Sequence, residues 1–160
     1  MTPAVRIVDA EGPVSLAVAR TLICEYADWL AIDLEYQDFE RELALFPGDY
    51  APPHGALLLA QAGADIAGCV ALRRLEPRIC EMKRLWVRGN FQGLGIGRAL
   101  AVAVLDRATR LGYERMRLDT LPRMAAALAL YRDLGFREVA AYYPSPVPGT
   151  IYLEKLLAPG

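Results

Sequence analysis

Leu85-Trp86-Val87-Arg88-Gly89-Asn90-Phe91-Gln92-Gly93-Leu94-Gly95-Ile96-Gly97-Arg98 is the stretch on which the reading of this chain turns. It begins as an apolar strand, bends, passes through a glycine-rich turn and enters a helix. Alternate residues of the turn lack side chains, so its backbone N–H groups are bare, and Gly93, Gly95 and Gly97 can take positive φ without steric cost. A helix that starts there adds its own free N–H groups and the positive end of its dipole. Such a turn suits a phosphate or a diphosphate. Two other phosphate loops do not fit. The dinucleotide pattern G-x-G-x-x-G requires glycine at position 98, where Arg98 stands, and no Gly-Lys-Ser/Thr run marks a nucleoside-triphosphate loop.

The spacing Gln92-x-x-Gly95-x-Gly97 resembles Q-x-x-G-x-G/A, the acyl-CoA diphosphate loop of the GCN5-related N-acetyltransferase (GNAT) superfamily. Two further segments carry the likeness in the family's order. Glu81 to Val87 resembles its fourth strand, and Leu130-Tyr131-Arg132-Asp133-Leu134-Gly135-Phe136 resembles its L-Y-x-x-x-G-F helix end. The resemblance spans residues 56–157, and the first fifty residues match only loosely. It implies acetyl-CoA as the acyl donor, with its pantetheine arm inserted between two splayed parallel strands.

The 160 residues suit one domain, 1–160, and a hydrophobic content of 54% supports a sizeable core. A net charge of -1 gives no global attraction to nucleic acid or to an anionic membrane, so neither is expected as a partner. Cys24, Cys69 and Cys80 lie in apolar stretches without metal-type spacing and read as reduced thiols, with no metal expected. No signal-peptide pattern and no membrane-spanning apolar run is present, so the expectation is a soluble cytoplasmic protein, monomer or homodimer.

Along the chain, Val5 to Val8 alternates as a first strand, and Val14 to Trp29 repeats apolar residues at helical period. Asp33 to Leu45 reads as a second helix. Ala56 to Ala62, Ile66 to Leu75 and Ile79 to Val87 are three strands whose short turns make them antiparallel neighbours. Gly97 to Leu111 is a helix with an apolar stripe of Leu100, Val104, Leu105, Ala108 and Leu111. Arg115 to Asp119 follows it as a strand parallel to Ile79–Val87. Pro122 opens a helix to Leu134 that Gly135 stops. Phe136 to Ala141 and Thr150 to Leu156 are the last strands, on either side of a proline-rich loop. The order predicts an α/β (α+β) fold, a mixed, mostly antiparallel sheet of about seven strands flanked by about four helices.

Acetyl transfer to an amine requires that the donor be held, the amine lose a proton, the developing oxyanion be stabilised and the thiolate be protonated. The backbone from Gln92 through Gly93, Leu94, Gly95, Ile96 and Gly97 to Arg98 is the candidate for the diphosphate, with Arg98 and Arg88 as added charge. Leu85, Trp86 and Val87 offer a strand edge to the pantetheine amides, and the resemblance makes the N–H of Val87 the donor to the thioester carbonyl. Tyr131, at the family's tyrosine position, is the candidate general acid, because a phenol with a pKa of about 10 keeps its proton at neutral pH. Glu81, where the resemblance places a frequent base, is the candidate base; a glutamate merely paired with Lys83 or Arg84 is the other reading. Asp119 is the alternative base, and His54 a candidate pH-sensitive group.

Two residues depart from the family pattern. Met124 stands where an asparagine often touches the cofactor, and Gly89 replaces a common proline. The acceptor, a small-molecule or peptide amine, would meet the N-terminal helices and the proline-rich loop. Tyr26, Trp29, Tyr36 and Phe39 offer aromatic faces there, Asp33, Glu35, Asp38 and Glu40 offer negative charge, and Asp119, at the end of the parallel strand, is a further candidate contact. A coenzyme-binding module without turnover is the alternative, and it would need neither Glu81 nor Tyr131.

Overall fold

Ala56–Ala62 (β2) is buried along nearly its whole length because both faces of the sheet it joins are covered. Leu58 and Ala60 pack with Leu100, Ala101, Val104 and Ala108 on one side. Leu57 and Leu59 pack with Ala19, Leu22 and Ile23 on the other. The architecture comes from a computed structural model in which residues 4–158 are described; the side chain of Tyr36 lies outside them.

The remaining elements are β1 (Val5–Asp9), α1 (Gly12–Leu30), α2 (Phe39–Ala44), β3 (Asp65–Glu76), β4 (Ile79–Val87), α3 (Ile96–Arg110), β5 (Arg115–Thr120), α4 (Ala125–Asp133), β6 (Arg137–Val139) and β7 (Ile151–Leu156). The described strands form one seven-stranded sheet in the order β1-β2-β3-β4-β5-β7-β6. Every pairing is antiparallel except that of β4 with β5. This is the predicted mixed sheet. Among the described residues no helix is long and apolar enough to cross a membrane.

Three segments differ from the sequence-based expectation. The helix predicted from Asp33 to Leu45 is a 3-10 turn over Leu34–Gln37 and then α2, because Asp38 sits between them in the left-handed region at φ 59°. Helix α4 begins at Ala125 rather than Pro122, because Leu121 to Met124 closes a turn, the Met124 N–H donating to the Leu121 carbonyl at 3.0 Å. Strand β6 stops at Val139, since the chain then crosses towards β5, where Tyr143 donates to Asp119. Leu111, just past the end of α3, is 40% exposed, and Ile96 and Ala101 complete the buried stripe in its place.

The site is set by how β4 leaves β5. The two strands pair only from Ile79↔Arg115 to Glu81↔Arg117 and then part. Beyond that point β4 bulges: Lys83 is opposite Ala71 and Trp86 opposite Cys69, so β4 holds one residue more than β3 over this interval. Arg84 carries the bulge at φ 60°, a costly conformation for a non-glycine residue. Its buried guanidinium is held by the Glu42 carboxylate at 2.8 Å and the Gln37 amide oxygen at 2.9 Å. Burial alone would raise the Glu42 carboxyl, but the bonds and charge of Arg84 outweigh it and leave it below the ordinary carboxylate range. Since the folded value is lowered, this stabilisation is present at neutral pH and is lost as pH falls through that value. Glu42→Ala should destabilise the fold by about 3–5 kcal/mol, because it strands a buried cation. Denaturant unfolding measures this; a loss below about 1 kcal/mol would contradict the role given to the pair.

Candidate functional site

The glycine turn leaves β4 through a short 3-10 turn at Gly89–Phe91, and the Gln92 side chain ties it back by donating to the Val87 carbonyl at 3.0 Å. Gly93 and Gly95 both take φ 80°, which any L side chain would resist, and Gly95 caps α3. Gly97 does not share that conformation: it lies in the first turn of the helix. The first helical bond runs from the Ala99 N–H to the Gly95 carbonyl at 3.1 Å. Among the described residues, none of the N–H groups from Gly93 to Arg98 is bonded to another residue. A Cβ built on Gly93 or Gly95 meets nothing within 4 Å, so the space over the turn is open. This row of free donors at a helix start fits a diphosphate.

A groove continues from the turn between Trp86, Val87 and Phe91 on one side and Met124, Ala125 and Leu130 on the other. It meets a second cavity at Leu85, Met124 and Ala127. The Arg88 N–H donates to the Ala67 carbonyl on β3 at 2.8 Å. Backbone donors alternate edges along a strand, so the Val87 N–H faces the gap that β5 has vacated. The two arginines are engaged elsewhere. Arg88 binds Glu25 at 2.8 Å and the Ile66 carbonyl at 3.0 Å, and Arg98 binds Asp133 at 2.6 Å.

Tyr131 is buried on α4 with its ring edge-on to Phe136, at 5.8 Å between centroids, and it lines the second cavity. Its hydroxyl has no hydrogen-bond partner among the described residues. Burial, then the charges of Tyr26 and Asp119, push the phenol well above its ordinary value, so it stays protonated. Asp119 lines the same cavity, with one carboxylate oxygen accepting from the Tyr143 hydroxyl at 2.8 Å. Burial raises its carboxyl despite that bond and the charge of Lys83.

Glu81 is placed differently. It is buried, and both carboxylate oxygens are engaged, one by Arg73 at 2.7 Å and the other by the Tyr142 hydroxyl. Its ionic partner is therefore Arg73, neither Lys83 nor Arg84.

Tyr26 and Trp29 stack with Trp86, at 6.2 and 5.3 Å. Tyr26 faces the inner cavity and Trp29, 50% exposed, the outer groove. Phe39 lies under Arg84 at 5.3 Å and serves the bulge. Asp33 caps the Glu35 N–H at 3.0 Å and Glu35 accepts the Glu40 N–H at 3.2 Å, so these carboxylates hold turns together. His54 sits beside Arg74 at 3.2 Å, outside both parts of the cleft. Sequence reasoning missed Tyr142, Tyr143 and Lys83. The Tyr-Tyr pair ahead of the prolines was the available signal for the first two; nothing local distinguished Lys83.

Residues 21–136 match the Acetyltransferase (GNAT) family. An uncharacterized N-acetyltransferase of Schizosaccharomyces pombe is 38% identical over 144 residues, 89% of this chain and 88% of that protein. An acetyltransferase of the GNAT family from Staphylococcus aureus superposes with a TM-score of 0.78 at 22% identity, over 97% of this chain and all of that one. A putative acetyltransferase from Salmonella typhimurium, solved with its cofactor acetyl-CoA, superposes at 0.68 with 18% identity, over 97% of this chain and 95% of that one.

Proposed function

This chain belongs to the GNAT family of acetyltransferases, and from that premise we propose that it transfers the acetyl group of acetyl-CoA directly to the primary amine of a small molecule or peptide. The observation that carries the donor assignment is the row of unbonded N–H groups from Gly93 to Arg98, continuous with a groove to the gap between β4 and β5. Acetyl-CoA supplies the activated acetyl thioester. Leu85 and Val87 present their strand edge to the pantetheine arm, and the Val87 N–H donates to the carbonyl oxygen as it gains charge.

An acceptor ammonium must lose two protons on becoming an amide. Asp119 accepts the one whose loss frees the nitrogen lone pair; the other is shed to solvent through the same carboxylate. Tyr131 gives its phenolic proton to the sulfur as the carbon–sulfur bond breaks, and solvent restores it. We assign the base to Asp119 rather than Glu81 because Asp119 lines the cleft with one oxygen unengaged among the described residues, whereas both oxygens of Glu81 are bonded. Glu81 then orders Tyr142 and Arg73.

A base works as the carboxylate, and burial raises the Asp119 carboxyl. Activity should fall on acidification at a higher pH than an ordinary aspartate would give. In Asp119→Asn the acidic limb of kcat/KM should disappear with overall activity lowered, and in Glu81→Gln it should persist. The limb vanishing with Glu81→Gln alone would return the base to Glu81.

The experiment that tests the function is thiol release from acetyl-CoA across amines, amino acids, aminoglycosides and peptide N-termini. Amine-dependent release is expected. Tight coenzyme binding without release from any amine would leave a coenzyme-binding module instead.

A further inference from the structure

The cations on the α1–α2 side of the sheet are almost all locked to carboxylates. Arg73 holds Glu81, Arg84 holds Glu42, Arg88 holds Glu25, and Arg117 holds Glu154 and Glu76. Lys83 is not. Among the described residues no carboxylate lies within ion-pair distance of its ammonium, which donates to the Gln37 amide oxygen at 3.1 Å. It is no ordinary surface lysine, since it lines the inner cavity together with Tyr131 and Asp119. Burial, and then the charge of Arg84, pull its ammonium down to about 8.

Its position follows from the strand geometry. Glu81 and Arg117 form the last rung between β4 and β5. Lys83 and Asp119 come next on the same face of each strand, on opposite walls of the opening, close enough for each charge to act on the other. One wall is thus positive and the other negative.

We propose that the acceptor carries its own carboxylate beside its amine, as a free α-amino acid does, with that carboxylate on the Lys83 ammonium and the amine on Asp119. This rests on the acetyl-transfer reading above. A zwitterion meets both walls at once, its carboxylate on the positive one and its ammonium on the negative one. A neutral substituent makes a weaker contact with the Lys83 ammonium than a carboxylate does, and a diamine brings a like charge against it.

The test measures acetyl-CoA thiol release with amino acids, their carboxamides and their decarboxylated amines. For the unmodified protein, kcat/KM should favour the amino acid over its carboxamide by about tenfold or more, the effect of one charge-assisted contact. Lys83→Met should bring that ratio close to unity, chiefly through KM, and Lys83→Arg should retain the preference. Retained acetyl-CoA binding marks a folded variant.

Carboxamides or decarboxylated amines matching the amino acid in the unmodified protein overturn the proposal, whether or not Lys83→Met folds. An unchanged ratio in a folded Lys83→Met does the same. Turnover of neutral amines without a carboxylate preference removes the acceptor assignment but leaves acetyl transfer standing. Absence of thiol release with these acceptors and with every amine of the wider panel removes both.

Discussion

Gly95→Val is expected to abolish acetyl-CoA binding in a protein that still folds. Gly95 caps α3 at φ 80°, and the positions around it leave their N–H groups pointing into open space. A valine there is wrong twice. A β-branched residue at positive φ distorts the turn at a cost of about 1–3 kcal/mol, which a domain with about 5–15 kcal/mol of stability survives. Its methyl groups then enter the space the phosphates need. Each hydrogen bond to a charged group contributes about 1.5–3 kcal/mol, so losing two lowers affinity by about a hundredfold or more. Gly95→Ala should lie between the two, since its single methyl blocks less. Titration calorimetry measures the change, and unchanged affinity in folded Gly95→Val would remove the turn from coenzyme binding.

Tyr131→Phe should lower kcat by about a hundredfold to ten-thousandfold, the range for a positioned proton donor, with acetyl-CoA affinity nearly intact. The substitution is clean because the hydroxyl has no bond to lose among the described residues and the ring keeps its edge-on contact with Phe136. Stability should therefore hardly move. Burial raises the phenol, which alone makes it a reluctant acid. The same burial makes a bare thiolate costly in that cleft, so proton transfer accompanies the departure of sulfur. A kcat within about twofold of the parent would leave Tyr131 as a core residue only.

What the sequence disclosed and what it hid divide along the range of the interactions involved. The turn at Gln92–Gly97 was legible because its chemistry is local: glycines at fixed spacing ahead of a helix. The β2–β3–β4 meander was legible because Gly63 and Pro77 punctuate long apolar runs. The bulge at Arg84 was not, since it depends on Glu42, far away in sequence. The partner of Glu81 was hidden for a related reason. Counting back along a regular hairpin from Glu76↔Ile79 puts Arg74 opposite Glu81, but β3 slips by one residue before the next rung and brings Arg73 there instead. Asp38 broke the predicted second helix through a backbone conformation that propensity does not encode. The roles of Tyr142 and Tyr143 required knowing that the chain recrosses β5 after β6. The placing of Lys83 opposite Asp119 depends on β4 and β5 parting after the Glu81↔Arg117 rung, which no local pattern reveals.

Acetyl transfer by this chain requires the bare amides of the glycine turn to grip the coenzyme. The direct measurement is a titration of uniformly 15N-labelled protein with coenzyme A, followed amide by amide. The backbone N–H signals of Gly93 to Arg98 should move downfield together and saturate with the affinity found by calorimetry, with smaller shifts at Leu85 and Val87. Saturable binding that leaves the Gly93–Arg98 amides unmoved while others shift would contradict it.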